Sequence, residues 1–217
     1  MPSGFTGHAE PVEATRLVVV RHGETAWNAS QRLQGQLDEP LNERGRWQAE
    51  RLGAALRGEG LTRIYSSDLV RARATAEAVA LATGLAEVRT EAALRERSFG
   101  SFEGLTRGEI EQRWPDDLRR WRAREPGFGP GGGESPEDFF ARCVPCAAAI
   151  AARHPGETVA LVAHGGVLDC LYRAATGVDL RAPRTWQLGN ASINRMLWNG
   201  EGFVLVGWND DAHLLLP

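Results

Sequence analysis

No apolar run in this chain of 217 residues approaches the roughly 20 residues that a membrane-crossing helix needs. The opening M-P-S-G-F-T-G-H-A-E-P-V-E-A-T lacks the basic-then-apolar order of a secretory signal. Charge of one sign is not in excess either, since the net value is −3 with both signs interspersed. Nucleic acid, which calls for a basic stripe, is therefore not an expected partner, and neither is a membrane. Cysteine is scarce at three residues, an odd number that does not suggest a disulfide framework. Cys143 and Cys146 do form a C-x-x-C, which is open to a redox or zinc reading. They sit inside an apolar helical pattern without a second ligand pair at metal spacing, so structural thiols and no metal site are the expectation. Cytoplasmic residence follows as the default. No internal repeat or low-complexity tract breaks the chain, and its length suits one α/β domain with a substantial core.

What is present is organised around Arg16 to Asn28, R-L-V-V-V-R-H-G-E-T-A-W-N. Leu17 to Val20 are too few for a helix and β-branched in three of four positions, which suits a strand buried on both faces of a parallel sheet. The run stops at Arg21-His22-Gly23, so a cation and an imidazole stand where the strand leaves the core. Ligands of open α/β sheets bind at that carboxyl end. An arginine offers a planar donor fork matched to phosphate oxygens, and a histidine can act as nucleophile. Gly23 allows a tight turn and close approach of a ligand. Taken alone, the pair could equally polarise a strand end, with His22 a satisfied imidazole.

Further along, residues 31–43 are polar and turn-rich, a loop. Asn42 is placed to cap a helix over 43–56, where Trp47, Leu52, Ala55 and Leu56 recur at helical spacing. A short strand over 61–66, a helix over 68–83 stopped by Gly84, and a strand over 87–90 follow. The pattern predicts a helix over 136–153, kinked by Pro145, and a second apolar strand, Thr158 to Ala163. That strand runs straight into His164-Gly165-Gly166. A helix over 167–175 and a hairpin of 192–198 with 203–208 complete the chain. The order predicts a three-layer α-β-α sandwich, a mostly parallel sheet with an antiparallel edge strand. Residues 1–15 read as a loose lead-in and residues 16–217 as one domain. The Gly/Pro-rich stretch from Gly127 to Gly133 reads as a hinge within it.

Two buried strands thus each end in a His-Gly step, and a core histidine would explain either alone. Together with R-H-G-E-T directly after a strand, they resemble the histidine phosphatase (phosphoglycerate mutase-like) superfamily, phosphatase branch. Three further blocks stand in the family's order. S-S-D-L-V-R-A-R-A-T-A-E, from Ser66, is similar to the segment that supplies a second phosphate-clamping arginine, here Arg71. Arg73 falls on another face of the helix and reads as solvated. L-R-E-R-S-F-G-S-F-E-G, from Leu94, resembles the element carrying the general acid, here Glu96, with Glu103 in a structural turn. W-N-D-D-A-H-L, from Trp208, resembles the tails of the phosphatase branch, with His213 structural.

The resemblance implies a metal- and cofactor-independent phosphomonoester hydrolase for small phosphorylated metabolites. His22 would attack phosphorus, and Arg21, Arg71 and His164 would hold the oxygens of the phosphate or another oxyanion. Glu96 would protonate the leaving group and then activate water. Gly23, Thr25, Asn28, Gln34, Gly35 and Gly165 match or adjoin positions that reach the phosphate or the near end of the substrate. Residues 105–134, with Trp114, Trp121, Phe128 and the arginines 113, 119, 120, 122 and 124, read as a lid. Those arginines could bind a carboxylate, which keeps a bisphosphoglycerate-dependent phosphoglycerate mutase as an alternative. They could also be a solvated helix face. A non-catalytic phospholigand- or protein-binding module on the same fold is a second alternative. The terminal hairpin offers an edge for a homodimer.

Overall fold

The computed structural model describes residues 13–215. Six strands form one sheet: β1 (Thr15–Arg21), β2 (Arg63–Ser66), β3 (Val88–Thr90), β4 (Thr158–Ala163), β5 (Ile193–Trp198) and β6 (Phe203–Asp210). Their spatial order is β3-β2-β4-β1-β5-β6. The two apolar runs, β1 and β4, are neighbours at the centre and pair in parallel, as do β2 with β4 and β2 with β3. The antiparallel element is the hairpin, with β5 beside β1 and β6 at the rim, where Val204 and Val206 are exposed. The lead-in expected over residues 1–15 lies outside the described residues except for its last three, and Thr15 already opens β1.

Both faces of the centre are covered, which is why β1 and β4 read as continuous apolar runs rather than as alternations. On one side Leu17, Val19 and Leu161 pack against α6 (Pro136–Ala152) and α7 (Gly165–Thr176) through Phe139, Ile150, Val167 and Leu171. On the other, Val18, Val20 and Val162 meet Leu52 and Leu56 of α2 (Glu43–Leu56) and Ala76 and Val79 of α3 (Val70–Thr83). Asn42 caps α2 by accepting from the Gly45 amide at 2.7 Å. A four-residue helix, α1 (Ala26–Ala29), follows the first His-Gly step. The chain is a three-layer sandwich.

The strand register positions everything that follows. Arg21 pairs with Ala163, so the two central strands end level with each other. The residue after each is a histidine, and His22 extends the ladder by donating from its amide to the Ala163 carbonyl at 3.0 Å.

Three expectations change in detail. Helix α6 is continuous through Pro145, which lies on its exposed face. Helix α7 starts at Gly165, two residues early, because β4 runs into it with only His164 between. Gly127 to Gly133 is a packed corner rather than a hinge. Its Gly133 amide donates to the Pro130 carbonyl, and Glu134 exchanges hydrogen bonds with Ser98 through its own amide and carboxylate.

Residues 105–134, read from the sequence as a lid, hold α4 (Arg107–Arg113) and α5 (Pro115–Arg122). Phe102, Ile110 and Leu118 give this segment a small core of its own, flanked by Trp114 and Trp121. Among the described residues no helix is long and apolar enough to cross a membrane.

Candidate active site

At the carboxyl end of the sheet, the His22 and His164 rings lie with centroids 5.1 Å apart and planes tilted by 60°. His22 is buried, and its Nδ1 lies 2.7 Å from the Gly23 carbonyl. A carbonyl can only accept, so Nδ1 carries the proton and Nε2 keeps its lone pair. Burial, reinforced by the Arg71 and Arg21 charges, holds the His22 pKa well below the usual imidazole range. His164 is likewise held well below it, first by burial and then by Arg71. Neither of its ring nitrogens has a partner among the described residues.

Arg71 enters from the first turn of α3 and is fully buried. The Gly35 and Leu37 carbonyls fix its guanidinium at 2.7 and 2.8 Å, and its Nε points at His22 Nε2 from 3.3 Å. Arg21 donates to the Leu188 carbonyl at 2.5 Å, while its Nε has no partner. Both guanidiniums are therefore oriented by backbone carbonyls, which anchor without neutralising them. Burial lowers the pKa of each, with Glu96 acting in the opposite direction. By contrast Arg73 is exposed and pairs with Glu77.

Glu96 reaches the same pocket across the start of α7. Both its oxygens lie 3.1 Å from the Gly166 amide, and Oε1 also accepts from the Arg97 amide. A Cβ at position 166 would stand 2.2 Å from Oε1 and 2.8 Å from the Phe139 ring, so the glycine leaves room for the carboxylate in this position. Arg142 buttresses the segment. It donates to the Ala93, Arg95 and Glu96 carbonyls and pairs with Glu134 at 2.6 Å. Glu103 instead ties down the Gln36 and Phe99 amides, a structural turn.

The remaining positions divide in two. Asn28, Gln34, Gly35 and Gly165 line a cleft of about 1110 Å³ together with Arg21, His22, Arg71 and Glu96. Thr25 stands behind that wall. Its backbone amide donates to Asn28 Oδ1 and its hydroxyl to Gln34 Oε1, so it positions the two side-chain amides. Gly23 is also off the wall. A Cβ there would meet the Gly45 carbonyl oxygen at 2.4 Å, so the glycine serves the contact with α2, and its amide donates to Thr75. His164 is not among the residues lining the cleft either; it is buried, with its ring 5.1 Å from that of His22. His213 accepts through its carbonyl from Arg51, away from the pocket.

Several contributors escaped the linear reading. Asn190, after Gly189 in the loop before β5, donates to the His22 carbonyl at 2.9 Å and to Asn28. Arg97, Arg184 and Asp169 stand on the cleft wall. None carries a local motif; only the topology brings them here. Of the lid arginines, Arg122 and Arg124 reach the cleft, whereas Arg119 and Arg120 pair with Asp116 and Glu125 on the outside. Cys146 is half-buried, its thiol pushed up to about 11 by burial, and Cys143 is buried. No group of three or more metal-capable side chains occurs among the described residues.

The two central strands each end in an imidazole, and the Arg21 and Arg71 guanidiniums line the cleft beside the first. Residues 17–211 match the histidine phosphatase superfamily (branch 1), and the chain belongs to that family. It is 38% identical over 209 residues to phosphoglycerate mutase-like protein 4 of Arabidopsis thaliana, covering 95% of this chain and 90% of that protein. It is 38% identical over 207 residues to the metal-independent phosphoserine phosphatase of the same plant, covering 93% and 84%. The structure of a mycobacterial glucosyl-3-phosphoglycerate phosphatase complexed with VO3 superposes with a TM-score of 0.80 at 37% identity. That match covers 90% of this chain and 99% of the other.

Proposed function

We propose that the chain is a metal-independent phosphomonoester hydrolase for small phosphorylated metabolites, acting through a phosphohistidine at His22. The observation that carries this reading is the orientation of His22. Its Nδ1–H is committed to the Gly23 carbonyl, and its Nε2 is left 3.3 Å from Arg71 Nε, with the His164 ring 5.1 Å away. The depressed imidazole pKa keeps the nucleophile unprotonated well into mildly acidic solution.

In this reading His22 Nε2 attacks phosphorus in line and the P–O bond to the leaving alcohol breaks. Arg21, Arg71 and His164 stabilise the equatorial oxygens, the contribution that dominates phosphoryl transfer. A phosphoryl dianion beside His164 favours its charged form, against the burial and arginine charges that hold it neutral without one. Glu96 gives its proton to the leaving oxygen and then takes one from the water that hydrolyses the P–N bond. The Asn28 and Gln34 amides, held by Thr25, offer N–H donors to the near end of the substrate. The phosphatase names of the relatives support the same reaction.

The mutase reading draws on Arg122 and Arg124 on the cleft wall, which could hold a carboxylate. Against it, the lid is only two short helices, of 7 and 8 residues, over a broad cleft open to water. Pairing of β6 across a two-fold axis belongs to the proposal, and sedimentation velocity tests it. The deciding experiment uses an aryl phosphate quenched in alkali, in which an acid-labile phosphohistidine survives. Phosphohistidine is expected on His22, with inorganic phosphate released without bisphosphoglycerate. Turnover that requires bisphosphoglycerate would establish the mutase, and absence of any phosphoenzyme or turnover would leave a binding module.

A further inference from the structure

The loop from Leu188 to Ser192 lies against the end of β1, at the step that carries Arg21 and His22. The Leu188 carbonyl accepts from Arg21, and the Ala191 amide donates to the Arg21 carbonyl at 2.9 Å. Ala191 is fully buried and holds φ at 55°, a left-handed backbone conformation that is unfavourable for a residue with a Cβ. Such strain persists only where the surrounding contacts over-determine it, and it clusters at functional sites. Next to it stands Asn190, whose side chain joins two groups of the candidate site.

Obligate partners identify the atoms of both amides. Asn190 lies 2.9 Å from the His22 carbonyl, which can only accept, so the atom there is Nδ2. Its second proton goes to Asn28 at 3.3 Å. The Thr25 backbone N–H can only donate, and it lies 3.1 Å from that same Asn28 atom, which is therefore Oδ1. Two donors thus converge on one oxygen. The opposite corner of the amide, Nδ2, has no acceptor among the described residues and is not closed to solvent, and Asn28 lines the cleft. Turning the Asn28 amide over would set its NH2 against both the Thr25 N–H and Asn190 Nδ2. Without Asn190, only the first of those donor–donor clashes would oppose the flip.

We propose that Asn190 is a positioning residue, which locks the Asn28 amide with its N–H donors toward the cleft and at a set distance from the His22 backbone. The inference rests on the phosphatase reading and deepens it. The spacing between the nucleophile and a donor to the near end of the substrate is set from the loop before β5, not by the R-H-G-E-T segment alone.

A double-mutant cycle tests this, with kcat/KM for p-nitrophenyl phosphate and the affinity for inorganic phosphate as readouts. Asn28→Ala and Asn190→Ala should each lower both quantities by about tenfold or more. Asn190→Ala placed on Asn28→Ala should cost at most about threefold further, because the group it positions is already gone. A merely structural role would instead lower both backgrounds by the same factor. Should Asn190→Ala fail to fold, the isosteric Asn190→Asp carries the same cycle, since the effect of its charge is common to both legs and cancels. Losses that multiply in full overturn the inference, as does an Asn190→Ala variant within about twofold of wild type in both readouts. Wild-type protein inactive on p-nitrophenyl phosphate would overturn the phosphatase reading, and the phosphate affinities would still decide whether Asn190 acts through Asn28.

Discussion

The pocket at the strand ends and the lid above it are both rich in arginine, and they use it in opposite ways. All 25 basic side chains of the protein are arginines, with no lysine among them. In the pocket, Arg21 and Arg71 are held by the carbonyls of Leu188, Gly35 and Leu37. A carbonyl fixes a guanidinium in direction and leaves its full charge for an incoming anion. In the lid, Arg119 and Arg120 face Asp116 and Glu125 at exposed sites. There the charge is cancelled locally and screened by water. Residue type is the same in both regions; the partner and the dielectric decide whether the cation stays available to an anion or is paired at the surface.

The contrast is sharpest at His22, the proposed nucleophile. His22→Ala should lower kcat by about 10⁴-fold or more and abolish phosphoenzyme in a rapid-quench assay, since the two-step route disappears with Nε2. Appreciable turnover in that variant would place the chemistry elsewhere.

Glu96→Gln should cost about 10²- to 10⁴-fold with alkyl phosphates. The loss of phosphoenzyme formation should be much smaller with p-nitrophenyl phosphate, whose phenolate leaves without a proton. Equal losses in that step for both substrates would argue against an acid role.

A matched pair of arginines sets the two regions side by side. Arg71→Gln should reduce kcat/KM by about 10²- to 10³-fold. Arg119→Gln should leave activity within about twofold and stability within about 0.5 kcal/mol. Comparable effects from both would erase the distinction between carbonyl-anchored and acid-paired guanidiniums.

The smallest effect concerns pH and stability. His22 and His164 have folded pKa values well below that of an unfolded histidine, about 6.5. Above that value both states are neutral and the groups contribute no slope. Below it the unfolded chain takes up protons that the buried rings resist, so stability is lost as pH falls from about 6.5 toward the folded values. Melting temperatures measured from pH 7.5 to 5 should decline, and His164→Asn should flatten part of that decline. A curve unchanged by the substitution would mean that the ring titrates alike in the folded and the unfolded chain.

Much of the pocket was legible in the chain because its signals are local. A strand buried on both faces must be continuously apolar, so β1 and β4 announce themselves, and the first polar residues after each mark the ligand-binding edge. Asn42, capping its helix, was readable for the same reason, since its partner Gly45 is three residues away. Glu96 and Arg71 were reachable only through the family resemblance, because nothing in a lone carboxylate or a helical arginine says where it points. The Gly127–Gly133 stretch shows the opposite failure. Its composition suggests freedom, yet its contacts are with Ser98 to Ser101, some thirty residues away, and they lock it.

By itself, then, the order of residues determined the two strand-end histidines, the cation beside the first, and the layered α/β architecture, all of which follow from patterns a few residues long. Only the tertiary structure decided that Thr25 and Gly23 support the wall rather than form it. Only there does Asn190 reach back across 168 positions to the His22 carbonyl, and a carboxylate of α7 meet the lid. The reason is physical. Strand and helix periods are properties of the backbone and repeat within one or two turns, whereas the contacts of a side chain depend on which elements the register of a central strand pair sets side by side.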